Sequence, residues 1–377
     1  MTWTIVPPDR PAVPEPAVRE VGVSGLRVRL VPLPWARSLG GCLAVACGSR
    51  DDAPGTAGTA HLAEHVRAVA GTGRVRQRVP VFAQTEIART LFRATAAPRA
   101  AADLAERLAG VLGDATVDER LLESERMAVE LETARMDSGP LLRAGGLFAA
   151  AACEEPGMDA IARTRREDIP AVTYREVADL VARCYRPSRA VLSVAGPPEA
   201  LESVAEAVER SLHRVAARGP APSHRPPTPA PPMSLPALDG LVAVTLTRPR
   251  RDEGHRARAL LSNLGPVVTA GVRAGVPLIG RTTVENEHLA VDVLCWKPAP
   301  QSRAALTGHL HTACAAPQLS RELIARVTQE ARQELAFTRS TPMAQALHAT
   351  LSAPAAPAAP PRLAVWHVAA GTPVPAT

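Results

Sequence analysis

Residues 219–236 read Gly-Pro-Ala-Pro-Ser-His-Arg-Pro-Pro-Thr-Pro-Ala-Pro-Pro-Met-Ser-Leu-Pro. A run this rich in proline lacks amide donors and large apolar side chains, so it cannot build a core. It predicts an extended, semi-rigid linker over 219–238 that divides the chain into domains at 1–218 and 239–377. His224 falls within it and is expected to be solvated. Elsewhere the 377 residues are 46% hydrophobic and 21% charged, the balance of packed globular domains. Aromatic residues are only 3%, so Leu, Val and Ala must fill the cores.

The formal net charge is +6, carried almost wholly by arginine, since Lys297 is the only lysine. Arginine, alanine and proline are abundant together, which reads as a compositional bias of the coding sequence. No basic run is interleaved with aromatics, so a nucleic-acid partner is not expected. The six cysteines (Cys42, Cys47, Cys153, Cys184, Cys295 and Cys314) form no C-x-x-C pair and fit buried thiols in a reducing compartment. Cys42 and Cys47 are five apart on one expected strand, where they face opposite sides. No signal-peptide pattern opens the sequence and no run of 18 apolar residues occurs, so a cytoplasmic protein without a membrane partner is expected.

Taken in order, 25–32 alternates apolar and basic residues as a half-buried strand does, and 41–47 is a nearly all-apolar strand. A turn-rich loop, 48–55, leads to a helix containing His61. Short strands are expected at 79–85 and 88–94, and helices at 98–112 and 118–136. A helix at 173–184, a strand at 189–196 and a helix at 198–212 complete the first half. The second half repeats the order: strand 241–247, helix 256–273, strands 281–284 and 288–294 around a turn, helices 301–316 and 319–338, and a last strand at 362–368. The fold class that follows is α+β, a duplication of antiparallel sheets with helices packed on one face.

The chemistry concentrates in His61-Leu62-Ala63-Glu64-His65. Residues four apart on a helix share a face, so two imidazoles can grip one metal ion while the adjacent Glu64 reaches a water beside it. Catalytic zinc takes three protein ligands, so a third must lie elsewhere. On helix 118–136, Glu125, Ala128, Val129 and Glu132 recur at i, i+3, i+4 and i+7. A carboxylate on such a face is either a metal ligand or part of a solvated helix. His309 and His311 are two apart on an expected helix, where their side chains diverge.

With these segments in view the chain resembles the pitrilysin-type zinc metallopeptidases, whose motif is H-x-x-E-H, and most of all their processing-peptidase branch. The resemblance rests also on "SGLRVRLVPLP", "GSRDDAPGTAGTAHLAEH", "ESERMAVELETARM" and "VADLVARCYRPSRAVLSVAG". It covers about 1–212 well and 239–340 loosely. It implies two homologous halves facing each other as a clamshell. It implies one zinc ion per chain on His61, His65 and Glu132, with Glu64 as general base and Glu125 supporting the site. Zinc would acidify its water and polarise the peptide carbonyl, and Glu64 would carry the proton to the leaving amine.

Three departures qualify the resemblance. The His65–Glu132 spacing is about ten residues short of the family's, with the shortfall between Val66 and Pro80. In "VFAQTEIART" the family carries Asn-Ala-x-Thr along the substrate; here Phe82 replaces the asparagine while Ala83 and Thr85 remain. The family's second half supplies an Arg and, seven residues on, a Tyr, which hold the peptide substrate and the transition-state oxygen. Arg273 matches the first, but Gly280 stands at the second, and Tyr174 and Tyr185 are the only tyrosines. The expected function is therefore a zinc-dependent endopeptidase acting on peptides or on precursor and leader peptides. It is expected to be the zinc-bearing subunit of a heterodimer with a homologous partner, or a homodimer. The alternative is a non-catalytic scaffold or substrate-binding subunit that keeps a zinc site.

Overall fold

A computed structural model describes residues 17–69, 79–113, 117–137, 140–153, 157–213, 238–249, 265–286, 288–315, 340–351, 362–369 and 372–375. The expected linker, except Leu238, and the expected helix 319–338 lie outside these residues, as does most of the shortened segment after Val66. Leu238 belongs to no linker: it is buried in the core of the second half.

In the first half, β1 (Arg19–Val23), β2 (Leu26–Pro32), β3 (Leu39–Val45), β4 (Phe82–Thr85), β5 (Thr90–Ala96) and β6 (Ala190–Gly196) make one sheet. Its order is β1-β2-β6-β3-β5-β4. All pairs are antiparallel except β2 with β6. In the second half, β7 (Val242–Pro249), β8 (Leu278–Glu285), β9 (Leu289–Trp296), β10 (Arg362–Ala369) and β11 (Thr372–Pro375) form an antiparallel sheet in the order β11-β10-β7-β9-β8. The β8–β9 turn is closed by the Asn286 side chain, whose Oδ1 accepts the amides of His288 and Leu289, both at 2.8 Å.

Apart from two single turns, Ala160–Arg163 and Pro198–Leu201, the described α-helices are α1 (Thr59–Val69), α2 (Ala101–Ala109), α3 (Glu119–Asp137), α4 (Pro140–Ala152), α5 (Tyr174–Cys184), α6 (Val204–His213), α7 (Gly265–Arg273), α8 (Arg303–Ala315) and α9 (Pro342–Leu351). Leu104 and Leu108 of α2, Val177, Leu180 and Val181 of α5, and Val208 and Leu212 of α6 bury against Val28, Leu43 and Leu192 of the first sheet. Val267 of α7 and Leu306 and Leu310 of α8 bury against Val244, Leu294 and Trp296 of the second. The helices of each half thus cover one face of its own sheet.

The opposite faces are covered by exchange. Ala144, Leu147 and Phe148 of α4 enter the core of the second sheet with Ala243, Val291 and Val293. Ala346 and Ala349 of α9 enter the core of the first with Val31, Cys42 and Ala195. At Gly40 of β3 an added Cβ would stand 2.2 Å from the backbone nitrogen of Met343, so α9 sits directly on the strand. Neither α4, α9, β1 nor β11 is expected from the sequence. The expected helix 98–112 is a helix flanked by two single 3-10 turns, and the expected strand 79–85 shortens to four residues.

Candidate metal centre

α1 carries the two histidines and is fixed at both ends. At its start the Asp52 carboxylate accepts the amides of Gly58 at 2.8 Å and Ala60 at 2.7 Å, donors a helix N-terminus leaves open. Gly58 has φ +98°, and a Cβ there would meet Ile169 at 2.4 Å, so the entry turn needs glycine. Desolvation pushes the Asp52 carboxyl up to about 8, against the downward pull of those two amides. At its end, Arg107 donates to the Ala68 carbonyl. Arg67 returns the contact, its Nε donating to Val111 O at 2.8 Å. Two helix C-termini thereby receive a cation each. Leu62, Ala63 and Val66 press the helix into the core.

α3 faces α1 along Leu122, Glu125, Val129 and Glu132, of which Leu122 and Val129 are fully buried. Its other side is held by Arg126, whose Nη1 donates to Ile169 O at 2.7 Å and Val172 O at 2.9 Å. The two carboxylates therefore reach the histidine face from a rigidly seated helix.

The Glu132 Oε2 lies 3.3 Å from His61 Nε2 and 3.5 Å from His65 Nε2. One potential ligand atom from each of the three residues lies within 4.8 Å of the others. The hydrogen bond from His61, with the charge of both histidines, holds the Glu132 carboxyl down to about 2, against partial desolvation. Two imidazoles and a carboxylate aimed at one point are the donor set of a catalytic zinc site, three protein ligands with a position left over. The residues fit the ion. His65 turns its other ring nitrogen, Nδ1, to Glu125 Oε2 at 3.1 Å. An ionised carboxylate only accepts, so this contact sets the tautomer and leaves Nε2 its lone pair.

Glu64 is 5% exposed, and its Oε2 accepts the Thr85 hydroxyl at 2.7 Å. Thr85 ends β4, the outer strand of the sheet among the described residues. Phe82 on that strand is 69% exposed, and Ala83 is half-buried. Arg273 is exposed at the end of α7, and none of the ion pairs or hydrogen bonds among the described residues joins it to the histidine cluster. Gly280 lies on β8, where a Cβ would meet Leu141 of α4 at 2.5 Å. The residues that sequence reasoning passed over are Asp52, Arg67 and Arg107. Asp52 sits six residues before Gly58, outside ordinary N-cap spacing, and the two arginines carry no local pattern.

By sequence the chain matches no family model and no curated protein. Solved structures are similar to it throughout. A putative M16-like peptidase from Alicyclobacillus acidocaldarius superposes with TM-score 0.63 at 17% identity, over 89% of this chain and 87% of that one. A chain of complex III2 from Candida albicans gives 0.64 at 11%, over 89% and 85%. A peptidase M16 inactive domain from Pseudomonas fluorescens gives 0.61 at 14%, over 89% of both. The chain has the two-half fold of the M16, or pitrilysin-type, peptidases.

Proposed function

We infer that the protein is a zinc-dependent endopeptidase acting on peptides or on precursor and leader peptides. The observation that carries this reading is the convergence of His61, His65 and Glu132, with the Glu64 carboxylate fixed on the next residue of the same helix. One zinc ion per chain held there would supply Lewis acidity toward a peptide carbonyl and acidify a water molecule. Glu64 would take a proton from a water molecule beside the cluster and deliver it to the departing amine. His65 is held by Glu125, and β4 offers an outer edge along which an extended peptide can lie as an added strand.

The proposal includes a homologous partner subunit, in a heterodimer or a homodimer. Gly280 backs onto Leu141, so this position holds no phenol. Tyr185 is fully buried in the first core, and Tyr174 is the exposed first residue of α5, after its cap Thr173. A donor for the developing oxyanion has to come from another residue or another chain. A cytoplasmic location is part of the same reading and is consistent with all six cysteines being free.

A second reading, a scaffold or substrate-binding subunit that keeps its zinc, is favoured by the same empty tyrosine position. Metal content and cleavage of a mixed peptide library, measured on the chain alone and with its homologous neighbour, separate the two. The peptidase reading expects about one zinc per chain and cleavage in at least one condition. It also expects Glu64→Gln to keep zinc while losing roughly 10²–10⁴ in rate. Zinc binding without cleavage in either condition would establish the scaffold.

A further inference from the structure

We propose that Thr85 is a positioning residue for Glu64, rather than a residue that lines the substrate, and that it ties the outer edge of the sheet to the general base. The inference rests on the peptidase reading for its kinetic consequence, but the contact itself does not. A threonine hydroxyl has a single proton to donate. Here it goes to Glu64 Oε2 at 2.7 Å, within the range of a short, charge-assisted O–H···O⁻ bond. With Oε2 held, Oε1 is the oxygen left to handle a proton.

The position of that hydroxyl is set by everything around Thr85. On β4 the exposed side chains are those of Phe82 and Gln84, while Ala83 and Thr85 are half-buried toward α1. Thr85 pairs with Thr90 on β5, and the fully buried Thr90 donates its own hydroxyl to Cys47 O at 2.8 Å. The next residues form a tight turn in which Glu86 N donates to Arg89 O at 2.8 Å. Arg89 Nε meets Glu86 Oε2 at 2.6 Å, and its Nη2 meets Glu285 Oε1 of the second half at 3.3 Å. Ile87, at the tip, is buried in the core of the second half. The strand end is therefore clamped from both halves, and a β-branched side chain has few rotamers there. The base is oriented by the strand against which a substrate would lie.

The test uses the full-length zinc-loaded protein, with its partner if one is required, and the variants Thr85→Val and Thr85→Ser. Valine keeps the shape and removes the donor, while serine keeps the donor. The expected result for Thr85→Val is a kcat about 10- to 100-fold lower, with KM and zinc content unchanged. Thr85→Ser is expected to recover most of the rate. A raised KM with kcat unchanged would return Thr85 to the substrate surface and overturn the proposal. A second measurement is independent of turnover. In zinc-free protein the ¹³C resonance of the Glu64 side-chain carboxyl, identified by its loss in Glu64→Gln, should move in Thr85→Val and return in Thr85→Ser. An unmoved resonance in folded Thr85→Val protein overturns the contact. If the wild type cleaves nothing, the function fails and this measurement still decides the link.

Discussion

Glu125 holds His65 by the ring nitrogen that faces away from Glu132: Nδ1 lies 3.1 Å from the Glu125 carboxylate, and Nε2 lies 3.5 Å from that of Glu132. A single imidazole is thus gripped by one carboxylate and presented to another, both from the same helix seven residues apart. Glu125→Ala is expected to weaken zinc binding about 10- to 100-fold while leaving the melting temperature of the zinc-free protein nearly unchanged. Competition with a fluorescent chelator measures the first quantity and calorimetry the second.

Glu132 supplies a pH signature in the zinc-free protein. Its folded-state value of about 2 lies below the ordinary 4.5, so its contribution to stability is present above pH 4.5 and is lost as pH falls through about 2. The stability difference between wild type and Glu132→Gln should therefore shrink as pH falls from 4.5 toward 2. With the side chain 50% exposed, solvent screening keeps the plateau small. Chemical denaturation across pH 2–7 checks the shape.

Asp52 titrates with the opposite sign. Its carboxyl is raised from 3.8 to about 8, so the folded state binds more protons than the unfolded chain between these values. Stability contributed at this site declines as pH rises from about 4 to about 8. At pH 4, Asp52→Ala should lower stability by about 1 kcal/mol through loss of the cap on α1, and the gap should narrow toward pH 8. Urea titrations at the two pH values decide it.

At Gly40 the exchanged helix lies directly on the first sheet. A methyl group there meets backbone rather than a movable side-chain tip. Gly40→Ala should destabilise by about 1–3 kcal/mol, and α9 should become the first site of proteolysis. By contrast, Gly280→Ala meets only the end of the Leu141 side chain and should be much milder. Parallel thermal melts and timed digestion of the two variants test the ranking.

Much of the site was legible because it is written in helical spacing. His61 and His65 one turn apart, and Glu125 and Glu132 two turns apart, declare shared faces without any knowledge of the fold. The inner strands of both halves alternate or bury as their composition predicts, whereas β1 and β11 at the sheet edges do not stand out, and the β8–β9 turn is marked by its asparagine. Among the helices, what escaped was whatever had no polar side to give a period. α4 is hydrophobic on nearly every side and contains Gly145 and Gly146, poor helix formers on local grounds. Gly145 is explained only by its neighbour across the halves, Thr282, whose methyl would lie 2.3 Å from an added Cβ. α9 likewise reads as a featureless Ala-rich stretch until it is seen between sheet and solvent. Thr85 was legible as a chemically interesting residue but not as a partner of Glu64, because a strand and a helix 21 residues apart share no sequence period. Arg273 rests on a spacing that also calls for a tyrosine, and with Gly280 at that position half of the pattern is missing.

The exchange of α4 and α9 makes the proline-rich boundary a seam in sequence but not in the solid. Cutting there would free no module: the amino-terminal piece would leave with a helix made for its sister and a bare apolar sheet face where α9 had been, and the carboxy-terminal piece would suffer the mirror image. Each fragment is therefore the other's missing layer, so a nicked molecule should stay whole while either fragment made alone should clump.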